Sequence, residues 1–303
     1  MKTQLPNFLI VGFPKCGTTS LVNTLGFHPD IFIPDKKELR FFTHDLLKEK
    51  GFKGPGDKKT KRLVISSWEG YKNQFMTKKP FTAIGEATTD TAYYYNTTIP
   101  NIKKRLGDPK IIIVLRDPVD RAISAYSHLI RDDREKLSFE EAIKKEKCRL
   151  NKGYESIWAY SNGGMYYHSV ESFLKNFSQV KVILFEDLKD FYDKTVKETF
   201  SFLDVDENIA IRRHHNNKSG ISKNKLLNRF LNESMFIKDV VKKVIGINNA
   251  MEIKDFFQNI NVRKIEIDND QKDRLRKHHL DDINNLEELI NKDLSNWKSQ
   301  KNT

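Results

Sequence analysis

Four short apolar runs, each bounded by glycine, proline or charge, mark the chain as far as Phe185: Phe8–Gly12, Ala83–Gly85, Ile111–Leu115 and Val180–Phe185. They show no polar alternation, which predicts strands buried on both faces, as in a parallel sheet. Between them, apolar positions recur at helical spacing over Thr18–Gly26, Val119–Ile130, Val170–Phe177 and Lys194–Leu203. Strand and helix taken in turn predict an α/β fold with right-handed crossovers. The stretch 43–80 is charged and gathers Gly51, Gly54, Pro55 and Gly56, which reads as a surface excursion near a substrate rather than core. After Val205 the chain grows rich in Lys and Asn without a strong strand signal. There, Leu275, Ile283, Leu286, Leu289, Ile290, Leu294 and Trp297 predict one final amphipathic helix packed back on the rest. The reading is one domain over 1–303, mainly helical from 206 onward.

Composition narrows the class. With 303 residues, 38% of them hydrophobic and 20 Phe, the chain can build a sizeable core and is neither a disordered tail nor fibrous. No apolar run approaches the ~20 residues of a membrane helix, and Met1–Pro6 lacks a signal-peptide apolar stretch. Two cysteines, Cys16 and Cys148, are too few for a disulfide framework. The expectation is a soluble cytoplasmic protein. A net charge of +12 attracts polyanions. Its basic clusters, at Lys58–Arg62, Lys223–Lys225 and Arg274–Lys277, name no partner by themselves.

The strongest local signal is Phe8-Leu-Ile-Val-Gly-Phe-Pro-Lys-Cys-Gly-Thr-Thr-Ser20, a strand, a loop and a helix start. N–H groups at such a helix start, with the positive end of the dipole, make an anion site. Gly17 permits close backbone approach, and Thr18, Thr19 and Ser20 add hydroxyls. Gly12 and Gly17 keep the Walker A spacing, yet Thr18 follows Gly17 and the lysine sits inside the loop as Lys15. The second signal is Lys110-Ile-Ile-Ile-Val-Leu-Arg-Asp-Pro-Val-Asp-Arg-Ala-Ile-Ser-Ala-Tyr126. Arg116 stands at the carboxyl end of a buried strand, where open α/β sheets bind ligands, and Ser124 follows two helical turns later. A guanidinium fork and a hydroxyl so spaced suit a phosphate.

Together the two stretches resemble the phosphate motifs of sulfotransferases that use 3′-phosphoadenosine 5′-phosphosulfate (PAPS). The resemblance implies a P-loop-like three-layer α/β domain with a central parallel sheet. It implies that Lys15, Cys16 (through its N–H), Gly17, Thr18, Thr19 and Ser20 hold the 5′-phosphate, and Arg116 with Ser124 the 3′-phosphate. Lys15 would also neutralise the leaving phosphate. The segment Lys36-Lys-Glu-Leu-Arg-Phe-Phe42 resembles the Lys-Glu-x-His-Phe-Phe stretch of heparan-sulfate-type and bacterial members, which makes Glu38 the general base and places Arg40, as a substrate-binding residue, where His is frequent, a departure that would bind an anionic acceptor or shift Glu38. Ile84-Gly-Glu-Ala-Thr-Thr-Asp90 resembles a segment beside the active cleft and makes Glu86 and Asp90 either acceptor contacts or structural hydrogen-bonding groups, with Ala87 where glycosaminoglycan enzymes often carry Lys. Tyr166, in Gly163-Gly-Met-Tyr-Tyr167, is expected either to lie near the nucleotide phosphate or to pack in the core. Lys218 and Ser219, in His214-His-Asn-Asn-Lys-Ser-Gly220, are expected to close over the 3′-phosphate.

The implied function is transfer of a sulfuryl group from PAPS to a hydroxyl, or an amine, of a carbohydrate or small metabolite. The implied route is in-line displacement, with adenosine 3′,5′-bisphosphate (PAP) as product and no metal. His214 and His215 lack companions at metal-ligand spacing. Two rival readings make other demands. A P-loop kinase using ATP and Mg²⁺ wants Lys directly before Thr18 and an acid after Leu115. A basic nucleic-acid-binding protein wants a reading module or a basic helix interleaved with aromatics.

Overall fold

A computed structural model describes residues 2–212, 221–222, 262–263 and 265–299. The strands, in chain order, are β1 (Lys2–Thr3), β2 (Phe8–Gly12), β3 (Ile31–Phe32), β4 (Met76–Thr77), β5 (Ala83–Ala87), β6 (Lys110–Leu115) and β7 (Val180–Leu184). Five of them form a parallel sheet in the order β3-β5-β2-β6-β7, and β1 pairs with β4 in a small antiparallel ribbon. Every residue of β2 and β5 is buried, as is β6 from Ile111 on, so the unbroken apolar runs are covered on both faces. Gly85 is required inside β5, because a Cβ there has no room beside the Phe8 ring.

The helices are α1 (Thr18–Leu25), α2 (His44–Lys50), α3 (Asp57–Lys61), α4 (Trp68–Lys72), α5 (Tyr95–Leu106), α6 (Pro118–Arg131), α7 (Phe139–Asn151), α8 (Tyr167–Asn176), α9 (Phe185–Asp190), α10 (Tyr192–Phe202), α11 (Asn269–Ile290) and α12 (Ser295–Lys298). Two sets pack together, α1 with α9 and α10, and α5 and α6 with α8 and α11, which gives the three-layer α/β domain. From β2 the chain runs first toward β3 and β5 and then crosses to β6 and β7. That reversal leaves a crevice at the carboxyl ends of β2, β5 and β6, the place where open sheets bind ligands.

Several expectations change. The last predicted strand stops at Leu184, and Phe185 opens α9 instead. The single C-terminal helix is two helices. Asn291 adopts a left-handed conformation (φ 49) and ends α11, and the chain turns to bury Leu294 and Trp297. Asn tolerates that conformation better than most residues, which is why an apolar pattern runs across the break. Past residue 206, Ile221–Ser222 pairs antiparallel with Val262–Arg263, a short pairing that carried no strand signal. The stretch 43–80 holds α2, α3 and α4 and is more than surface. Tyr71 and Phe75 are fully buried in the main core, where Phe41, Phe42, Trp68 and Tyr71 pack ring against ring.

Candidate active site

The crevice is a cleft of about 730 Å³ whose walls include Lys15, Glu38, Arg116 and Ser124. They come from three separate stretches of the chain, with Arg116 and Ser124 sharing one, and the fold brings them together at one edge of the sheet.

The first wall follows β2. A register shift between Ile10 and Gly12 turns the end of the strand into the loop. Lys15 (φ 73) and Gly17 (φ 90) take left-handed conformations, and a Cβ at Gly17 would lie 2.8 Å from Phe185 Cδ2. Glycine therefore satisfies both the torsion and the space. Gly17 is the N-cap of α1, and no side chain caps that helix. The N–H groups opening α1 have no acceptor within the helix and point where an anion binds. Thr18, Thr19 and Ser20 line the cleft beside them. Burial, with Arg131 next, pulls the Lys15 ammonium down to about 8.

Cys16 departs from its expected role. Its side chain is fully buried, with Sγ 3.8 Å from Tyr166 Oη, and its N–H donates to the Phe13 carbonyl at 3.3 Å. The N–H is thus engaged inside the turn rather than offered to a phosphate. Burial pushes the thiol up to about 11, so it stays protonated.

The second wall follows β6. Asp117 caps α6 by accepting from the Val119 N–H (2.8 Å) and the Asp120 N–H (3.2 Å), and Pro118 fills the first helical position. This cap fixes where the strand ends and so where Arg116 projects. The Arg116 guanidinium lies 4.5 Å from the Phe185 ring centroid and donates to the Lys15 carbonyl at 3.3 Å, which ties the two turns together. Its Nε is buried and makes no hydrogen bond among the described residues. Tyr166, fully buried, donates to the Arg116 carbonyl at 3.0 Å and packs edge-on against Phe13. Ser124 faces the cleft, and so do His128 and Arg131, four and seven residues on along the same helical face. Arg131 Nη2 donates to His128 Nδ1 at 2.7 Å. Burial, Lys15, Arg131 and Arg134 drive the His128 pKa down to about 2, so the ring is neutral.

The third wall holds Glu38 and Arg40, at φ 56 and 54. The Glu38 carboxylate accepts from the Thr89 N–H (3.2 Å) and the Thr89 hydroxyl (2.9 Å), yet its side chain keeps 36% exposure. It is held from one side and open from the other. Burial of the group raises its pKa, Arg40 opposes this, and Asp90 adds to it. Arg40 lines the cleft with Nη1 3.2 Å from Asp90 and 3.1 Å from Glu155, and with Nε 3.9 Å from Glu38. The guanidinium is already divided among carboxylates, so it is not free for an anionic acceptor, and it acts on Glu38 instead. Asp90 also lines the wall, but it is 1% exposed and meets the cleft through Arg40. Glu86 is turned further from the cleft and is not an acceptor contact. It is buried outside the cleft lining and accepts from the Thr88 hydroxyl, and burial pushes its carboxyl up to about 8. Its role is internal. Lys218 and Ser219, like His214 and His215, lie outside the described residues.

Sequence reasoning missed Thr89, His128, Arg131, Arg134 and Glu155. Helical spacing from Ser124 carries a signal for His128 and Arg131; Glu155 has none, since it reaches Arg40 from 115 positions away.

The sulfotransferase domain family matches residues 5–243. A sulfotransferase structure from Alicyclobacillus acidocaldarius is 32% identical and superposes with a TM-score of 0.76 over 98% of this chain and 100% of that one. Mouse heparan sulfate glucosamine 3-O-sulfotransferase 5 is 28% identical over 182 residues, which is 57% of this chain and 45% of that protein. The membrane-associated sulfotransferase kil1 of Dictyostelium discoideum is 33% identical over 129 residues, 42% of this chain and 24% of that one. The chain thus matches less than half the length of these curated relatives. Among the described residues no helix is long and apolar enough to cross a membrane. The extent of the domain match, over the same strands and turns that build the cleft, places this chain in the PAPS-dependent sulfotransferase family.

Proposed function

We propose that the protein transfers a sulfuryl group from PAPS to a hydroxyl of a carbohydrate, with Glu38 as base. The observation that carries this reading is that both phosphate motifs and the exposed face of Glu38 line a single cleft. The donor set fits a doubly phosphorylated nucleotide. An uncapped helix start with a glycine cradle lies at one place, and a buried Arg116 Nε without a hydrogen bond lies at the other. Relatives named for heparan sulfate and carbohydrate sulfation support a sugar acceptor.

PAPS, when bound, supplies the sulfuryl group. The remaining work falls to the chain. Lys15 and the N–H groups of Gly17, Thr18 and Thr19 hold negative charge at the phosphosulfate end, a preorganised electrostatic role. Arg116 and Ser124 hold the second phosphate. Glu38, oriented by Thr89, takes the proton of the attacking hydroxyl. Thr60, in the 43–80 stretch, reaches the cleft and makes that stretch a border of the acceptor pocket. Cys16 and Cys148 are free thiols, which suits a reducing cytoplasm; recovery of the protein in a membrane fraction would count against that placement.

Incubation with PAPS and a mixture of oligosaccharides, followed by mass spectrometry, tests the reaction. Sulfonate added to a glycan and lost in Glu38→Gln supports it. Phosphate added from ATP·Mg instead would return the chain to kinase chemistry.

A further inference from the structure

The short helix α3 stands between two cavities. Thr60 lines the cleft, and the neighbouring Lys58 and Lys59 line a second pocket of about 500 Å³ with Phe52, Lys53, Pro55 and Tyr154. The first residue of α3 fixes this partition. Asp57 is fully buried, accepts from the Gly54 N–H (2.9 Å), the Glu155 N–H (3.1 Å) and Trp158 Nε1 (3.2 Å), and pairs with Arg134. The Lys53 N–H donates to the Gly153 carbonyl at 3.2 Å, which ties the loop before α3 to the chain beside Tyr154. A ligand meeting this platform does not have to order it first.

The charge of the platform is one-sided. Lys53, Lys58, Lys59, Lys61 and Arg62 are exposed and make no ion pair among the described residues. Surface lysines elsewhere meet an acid one helical turn away, as Lys72 meets Glu69, Lys144 meets Glu140 and Lys175 meets Glu171. On α3 the one acid, Asp57, is turned inward. Like charges gathered without counter-ions raise the local concentration of anions. Closer to Glu38 the cations are engaged: Arg40 is divided among carboxylates, Arg134 holds Asp57, and Lys37 donates to Asn23. An acidic acceptor therefore finds free cations farther out, on α3. Phe52 and Tyr154 add apolar surface to the same pocket, a combination that suits a sugar ring carrying a charged group. We infer that α3 and the pocket beside it form an outer acceptor subsite for an acidic oligosaccharide, which leaves the cleft past Thr60 and sets an acidic unit against Lys58 and Lys59. The inference rests on the sulfuryl-transfer reading and narrows its carbohydrate to an acidic one.

The test uses the full chain loaded with PAP and a hexasaccharide of alternating glucuronate and N-acetylglucosamine, beside the same hexasaccharide with its carboxylates methyl-esterified. Calorimetry at one ionic strength should give the acidic form at least about tenfold tighter binding. The advantage should shrink several-fold in the matching disaccharide, which is too short to cross α3. The double variant Lys58→Gln, Lys59→Gln should remove most of it, whereas Lys144→Gln with Lys175→Gln, an equal change of charge on α7 and α8, should leave it standing. Equal binding of the two hexasaccharides overturns the inference. So does an advantage that persists in the disaccharide or in the α3 variant, or one that the α7 and α8 variant abolishes equally. If the α3 variant instead loses affinity for an oligonucleotide or for phosphatidylserine vesicles but not for the acidic sugar, the patch serves nucleic acid or membrane and the inference fails. The melting temperature with and without PAP is read on the same samples. A rise on adding PAP keeps the sulfotransferase reading standing however the sugars rank, and no rise sinks that reading together with this one.

Discussion

The side of the cleft that would hold the donor and the side that would hold the acceptor are built by different means. The donor side stands on regular elements. β2 and β6 stop at the same edge of the sheet, α1 starts without a cap and α6 starts with one, and each functional group lies on the turn or the helix that follows one of these strands. The acceptor side stands on irregular backbone. Glu38 and Arg40 take left-handed conformations and are held by Thr89, 51 positions from Glu38, and by Glu155, 115 positions from Arg40. Binding an anion needs only N–H groups and a cation at a strand end, so it is encoded locally. Orienting a carboxylate without neutralising it needs partners gathered from across the fold.

That difference should appear in mutants, and the largest effect falls on the acceptor side. Glu38→Gln should lower turnover by roughly 10²–10⁴ while the thermal shift produced by PAP stays unchanged; loss of the PAP shift would mean that the two sides are not separable. Next comes Lys15→Met, which should cost roughly 10²–10³ in turnover, the usual effect of removing one preorganised charge, and should weaken PAP binding as well.

The pH profile of kcat/KM sharpens the same contrast. Glu38 works ionised, and burial raises its pKa above 4.5, so activity should fall with falling pH on a limb above the ordinary carboxylate range. Lys15 works as a cation, and its pKa near 8 places the loss of activity on rising pH there. Lys15→Arg should move the alkaline limb upward and leave the acid limb in place. An alkaline limb that stays near 8 in that variant would remove Lys15 from the role.

Arg116→Met should weaken PAP binding by roughly tenfold to a hundredfold, the value of a charged hydrogen bond of about 1.5–3 kcal/mol, as read by calorimetry. The smallest effect belongs to Tyr166→Phe. It removes the donor to the Arg116 carbonyl and should lower stability by about 1 kcal/mol in a denaturant titration. A loss of PAP affinity beyond that of Arg116→Met would instead put the phenol in contact with the ligand.

The sequence was legible where chemistry and local structure coincide. Lys15, Gly17, Thr18, Arg116 and Ser124 stand on a strand–loop–helix pattern that short-range rules predict, and the structure gathers them in one cleft. The resemblance also pointed to residues whose roles depend on direction. Glu86 lies within β5, yet it turns inward to Thr88, and Cys16 spends its N–H on Phe13. A strand pattern says that a residue alternates faces, but only the packed neighbours say which face opens on a ligand. Trp68, Tyr71 and Phe75 lay hidden for the converse reason. The charged, glycine-rich stretch around them reads as surface, although its aromatic residues complete the core.

The central claim is that one nucleotide is held at two ends, by the turn at Lys15 and by Arg116 with Ser124. Calorimetric titration of the unmodified chain with PAP, 5′-AMP and 3′-AMP tests it most directly. The account expects PAP to bind at least about tenfold more tightly than either single phosphate, with Lys15→Met erasing the advantage over 3′-AMP and Arg116→Met erasing that over 5′-AMP. PAP binding no tighter than AMP, or ATP·Mg binding more tightly than PAP, would contradict it.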